Sequence, residues 1–175
     1  MTKIFLSLVV LTLAACTSGV SQEATTTTAE PIPLPATYDG LTPPPVWLVV
    51  ADEEIPATIL GYVNAFVAVE PIDLPPDIPP VTVPAGTQVR VLVGSGEIKE
   101  FQARAQPRTI SYDQVFNAPA LLLAGEAQAE GNLTVFTLGP ISNAGDLRLD
   151  VLITFTSDKE GSAHYAWPLH ITPVP

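Results

Sequence analysis

Hydrophobic residues open the chain as a block, give way to a long Thr- and Pro-rich stretch, and return from residue 46 onward in short alternating runs. These later runs are rich in Val, Ile, Thr and aromatics, are bounded by Gly and Pro, and show no lasting helical period, so they read as β-structure. The clearest is 147–156. Leu147, Leu149, Val151, Ile153 and Phe155 are set to face a core, with Arg148, Asp150 and Thr154 outward. Segment 163–172 repeats the pattern with Tyr165, Trp167, Leu169 and Ile171 inward, and Asp158-Lys159-Glu160-Gly161 supplies a short loop between the two. Together they predict a C-terminal hairpin. Further strands are predicted at 46–51, 59–69, 88–93, 98–105, 120–128 and 133–138, with Pro84-Ala85-Gly86 and Gly94-Ser95-Gly96 as turns. The proline-dense segment 71–80 cannot be a paired central strand and predicts a long crossover loop. About eight short strands with frequent turns predict an all-β fold, an immunoglobulin-like two-sheet antiparallel sandwich over 46–175, with a small barrel as the alternative.

The opening block has the parts of an export signal: Lys3 as the basic n-region, an apolar stretch from Ile4 to Leu13, and small residues leading to Cys16. It is shorter than the roughly 20 apolar residues that a bilayer-spanning helix needs. Leu13-Ala14-Ala15-Cys16 resembles the lipobox of bacterial lipoproteins. The resemblance implies a signal peptide over 1–15, cleavage before Cys16, and lipidation of its thiol. Membrane attachment through this N-terminal lipid follows, since two or more acyl chains hold a protein stably at a bilayer. Thr17, in place of the aspartate often linked to inner-membrane retention in that class, points to the outer membrane or cell surface. Residues 16–45 then predict a disordered tether, with Thr25-Thr26-Thr27-Thr28 and six scattered prolines too poor in apolar side chains to build a core. At ~3.1 Å per residue in extended form, it could lift the domain by as much as ~90 Å.

Charge narrows the partners. Removing the leader takes Lys3 and leaves 6 basic against 18 acidic residues, a net of about −12. Such a surface is repelled by anionic lipid headgroups and nucleic acid, so no nucleic-acid partner is expected. Cys16 is the only cysteine, so the folded domain has no disulfide and takes its stability from an apolar core.

Two fragments resemble known β-sandwiches. Val81-Thr82-Val83-Pro84-Ala85-Gly86-Thr87 is similar to an element common in cupredoxins and other secreted sandwiches. The C-terminal strand, the acidic glycine loop and Ala163-His164-Tyr165 look like bacterial lipoproteins of β-sandwich type. No activity transfers with either. A cupredoxin copper site needs two His, a Cys and a weak axial ligand, whereas Cys16 is taken by lipid and the only methionine is Met1. No cofactor is expected.

The remaining chemistry is sparse. His164 and His170 lie on one strand ~20 Å apart, too far to share a metal, and both are expected to be exposed on the face opposite Tyr165 and Trp167. Pro168 on that face suggests an edge strand or a bulge. Asp52-Glu53-Glu54 reads as an acidic turn. Glu70, Asp73 and Asp77 in the proline loop are the candidate calcium ligands, although neither group has the spacing of a calcium-binding loop. Ser95 lies in Gly94-Ser95-Gly96, which is not a nucleophile elbow. Asn132-Leu133-Thr134 matches a glycosylation sequon that a bacterial export signal makes irrelevant. Trp47 is the candidate for a binding surface, with a place in the first strand's core as its alternative. The expected function is a non-enzymatic binding or structural module of the cell envelope, lipid-anchored on the extracytoplasmic side, with a possible envelope protein partner. The alternatives are a small-ligand or calcium-binding lipoprotein and, third, a hydrolase.

Overall fold

A computed structural model describes residues 42–94, 97–156 and 161–174. Cys16, the leader, most of the tether, Ser95, and Asp158 to Glu160 of the last loop fall outside these. The described residues form a sandwich of two sheets. Twelve strands follow in order: β1 Val46–Val50, β2 Glu53–Pro56, β3 Thr58–Asn64, β4 Ala68–Val69, β5 Val81–Pro84, β6 Val89–Val93, β7 Ile98–Pro107, β8 Leu121–Leu123, β9 Gly125–Glu130, β10 Leu133–Leu138, β11 Gly145–Phe155 and β12 Gly161–Thr172. One sheet has the order β2-β1-β6-β10-β9. The other has the order β4-β3-β12-β11-β7-β8, with β5 added beside β12. All pairings are antiparallel except β5 with β12.

The alternation read along 147–156 and 163–172 sets the core. Leu149, Val151, Ile153 and Phe155 are fully buried, as are Tyr165 and Leu169, and they meet Val89, Val91 and Val93 from the opposite sheet. The rings of Phe101 and Phe136 stack between the sheets with centroids 3.7 Å apart. Trp167 joins this core and donates its indole N–H to the Ile55 carbonyl of the facing sheet at 3.0 Å. Trp47 is also buried, but on the other face of β1, in a separate cluster with Val49, Leu92 and Val135. Pro44 and Pro45, expected in the tether, already belong to the domain. The Tyr165 hydroxyl donates to the Pro44 carbonyl at 2.7 Å, and the Gly94 amide donates to that of Pro45 at 2.9 Å.

Two predicted strands divide where a local feature turns the chain. Segment 59–69 becomes the hairpin β3–β4, because the Asn64 side-chain carbonyl accepts from the amides of Phe66 and Val67 and folds the backbone over. Segment 120–128 splits at Ala124, where the chain passes from the seven-stranded sheet (β8) to the five-stranded one (β9). The expected acidic turn is instead centred on Ala51 and Asp52, with Ala51 at φ +54°, while Glu53 and Glu54 begin β2. Gly86, at φ +80°, supplies the left-handed position of the predicted Pro84-Ala85-Gly86 turn.

β12 is not an edge strand. It lies between β11 on one side and, on the other, β3 and then β5. Pairing with β3 ends at Ala166 and pairing with β5 begins at Leu169, so Pro168, which has no amide to donate, occupies the handover.

Candidate functional site

Arg148, Asp150 and His164, even-numbered positions of β11 and β12 expected to face solvent, are instead roofed. The crossover 70–80 and the segment 108–118, which carries a 3-10 turn at Tyr112–Gln114, lie across the outer face of the seven-stranded sheet. Leu74 of the crossover packs on Leu60 and Ala166. Arg108 donates to the carbonyls of Pro76 and Ile78 at 3.0 and 2.8 Å, and Asp73 accepts from the Tyr112 amide at 2.6 Å. The roof therefore holds by its own polar contacts as well as by apolar packing.

Beneath it lie Gln106, Arg148, Asp150 and His164, all at most 3% exposed. Charged groups are almost never buried so deeply unless paired, and these are. Arg148 reaches both oxygens of Asp150 through Nε (3.0 and 2.9 Å) and Oδ1 again through Nη2 (2.6 Å), while its Nη1 donates to the Ile110 carbonyl at 2.8 Å. Gln106 Nε2 donates to Asp150 Oδ2 at 2.6 Å, and His164 Nε2 lies 2.8 Å from Oδ1. The expectation that Arg148, Asp150 and His164 are exposed is thus corrected: the phase was right, but the face is covered. His170 does remain half-exposed, beside Asp146 at 2.8 Å.

The network determines the charges. Burial by itself would raise the Asp150 carboxyl. Hydrogen bonds from His164 and Arg148, together with the guanidinium charge, outweigh that and hold it below its ordinary value of 3.8. Asp150 is then a carboxylate that can only accept, so the hydrogen it shares with His164 sits on Nε2. A carboxyl held lower in the fold than in the unfolded chain stabilises the fold above the unfolded value, and that stability is lost as pH falls through the folded value. The unfolding free energy from urea titrations should therefore decline on acidification below about pH 4, and Asp150→Asn should make that decline shallower. An identical acid profile in the variant would contradict the assignment.

Two buried polar atoms of the network have no partner: His164 Nδ1 and Gln106 Oε1. Each residue lines a cavity. His164 borders one of about 310 Å³ with Gly61, Tyr62, Tyr112, Leu152 and Ser162, and Gln106 borders another of about 400 Å³ with Pro119, Leu121 and Asn143. The His164 ring lies 5.3 Å from that of Tyr112 and 5.8 Å from that of Phe116, and Arg104 stacks over Phe116 at 5.2 Å. Burial first, then the Asp150 charge, raises the Tyr112 hydroxyl above its usual value against the opposing pull of Arg148, so it stays protonated. β3 carries a bulge against His164–Tyr165, inserting Leu60 where the strands pass the histidine; bulges often sit where a side chain must be re-aimed.

The carboxylates proposed for calcium are spread along the crossover. Glu70 lies on the rim of the His164 cavity, Asp73 is bonded to the Tyr112 amide, and Asp77 is exposed in a turn. Among the described residues no group of three His, Cys, Asp or Glu is placed to hold a metal. The polar cluster was missed because two-residue spacing of charges on a strand is the ordinary sign of a wet face. The available signal was Ile72, Leu74 and Ile78 in the proline loop, apolar residues that a solvated crossover does not need. Comparison with protein families, curated proteins and solved structures finds no match to this chain.

Proposed function

We propose that the chain is a lipid-anchored, extracytoplasmic β-sandwich that serves the bacterial cell envelope as a binding module and performs no catalysis. The observation that carries the anchor is Leu13-Ala14-Ala15-Cys16 at the end of an apolar run, with no other cysteine in the chain. Among the described residues no helix is long and apolar enough to cross a membrane. Binding is supported by the cavity at His164, whose size falls at the lower end of ligand pockets, roughly 300–1,000 Å³. Nucleophilic catalysis needs a hydroxyl within hydrogen-bond reach of its base. Ser162 shares the cavity wall, yet His164 Nδ1 bonds to no hydroxyl.

Cells expressing the chain and fed labelled palmitate should yield a labelled protein whose mass lacks residues 1–15, and Cys16→Ala should abolish the label. A Cys16→Ala chain that still incorporates palmitate would overturn the anchor. Turnover of an ester, glycoside or peptide that disappears in His164→Gln would overturn the absence of catalysis.

A further inference from the structure

We propose that the cavity beside His164 binds a small, uncharged aromatic alcohol, whose hydroxyl donates a hydrogen bond to His164 Nδ1. This names a ligand class for the binding module above and rests on that reading. The wall is mostly apolar: Val63, Ala68, Val69 and Leu152 contribute aliphatic surface, and Tyr62 and Tyr112 contribute rings. Aromatic rings favour offset or edge contacts with a second ring.

The polar requirement comes from His164. Its Nε2 is tied to Asp150, which Arg148 and Gln106 hold in turn, so the ring orientation is fixed before any ligand arrives. With the shared hydrogen on Nε2, Nδ1 is the nitrogen left to accept; it is buried and has no partner. A buried acceptor without a partner bears its desolvation cost in full, so a donor delivered there gains a bond without displacing another protein group. The nitrogen is screened from water. Tyr112 both lines the cavity and lies 5.3 Å from the imidazole, so it is the ring a ligand tilts aside.

Charge rules out ionised ligands. The Arg148 charge is already matched by Asp150, so a buried cation would have no counter-charge left to meet. An anion would face Glu70 at the rim and a chain of net charge −11. A neutral hydroxyl on an apolar ring satisfies all three constraints.

The test uses the full chain as purified from cells, in lipid nanodiscs if membrane-bound and in buffer if not. The cavity is thus probed whether or not Cys16 carries lipid, and the palmitate experiment decides the anchor separately. The probe is 4-fluorophenol, followed by fluorine NMR line broadening against empty nanodiscs or buffer, with 4-fluoroanisole as the same ring lacking a donor. Saturable binding of the phenol is expected, with the ether about tenfold weaker, the worth of one hydrogen bond. Ala68→Trp, which fills the cavity from its exposed rim without touching the polar network, should abolish binding of both. His164→Gln keeps an N–H towards Asp150 but removes Nδ1, and should bring the phenol down to the affinity of the ether. No saturable binding, equal binding of phenol and ether by the native chain, or unchanged binding in Ala68→Trp would each overturn the proposal.

Discussion

Asp150→Asn should lower the stability of the domain by about 3–5 kcal/mol, the usual cost of removing one partner from a buried ion pair. For a domain of this size the shift in melting temperature is about 10–20 °C. The substitution preserves shape, so the loss is electrostatic. Arg148 keeps a full charge at 1% exposure with only neutral acceptors, the Ile110 carbonyl and the one amide oxygen of the new side chain, left to meet it. The new amide would also have to turn an N–H towards one of two oxygen positions that now accept from Arg148, Gln106 and His164. Replacing both charges, as in Arg148→Met with Asp150→Leu, should cost less than Asp150→Asn alone, because it removes the unmatched charge along with the pair. Urea unfolding of the two variants measures this. A single variant within 1 kcal/mol of the native chain would mean that the roof opens and water reaches the arginine.

Trp167→Ala tests the other half of the molecule and should cost about 3–5 kcal/mol, the range for emptying a large aromatic site from a core. Trp167 is 1% exposed in the cluster between the sheets, and its N–H is the bond to Ile55 across them. Trp167→Phe separates the two contributions. It keeps most of the apolar volume and loses the hydrogen bond, so about 1–3 kcal/mol should go with the unpaired Ile55 carbonyl and the volume not refilled. If thermal melts place the alanine and phenylalanine variants together, the packing contribution assigned to the indole is wrong.

The two residues also mark where sequence reading succeeds and where it stops. Trp167 was legible, because alternation along a strand is local and the inward set of 163–172 needed no knowledge of the other chain segments. The core clusters, the hairpin and the crossover at 71–80 follow from the same local logic. Asp150 was placed on the correct face but in the wrong medium. Whether an outward face is wet depends on what folds across it, and that is set by Asp73 meeting Tyr112 and Arg108 meeting Pro76 and Ile78, contacts between residues some thirty or more apart. The division of 59–69 and 120–128 was invisible for a related reason. A sheet switch at Ala124 leaves the β-pattern intact and changes only the partner.

The position of β12 bears on when this protein can fold. It follows every other described strand, yet β3, β5 and β11 all pair with it. Until it is synthesised, β3 with β4 is a two-stranded hairpin, too small to be stable alone, and β5 has no neighbour in its sheet. A chain emerging from its N-terminus therefore cannot close the seven-stranded sheet early, and the long loops that closure requires make the step slow. A nascent chain of this design keeps that sheet open until Gly161–Thr172 has been made, and the edges of β3, β5 and β11 that pair with it stay unpaired for that long.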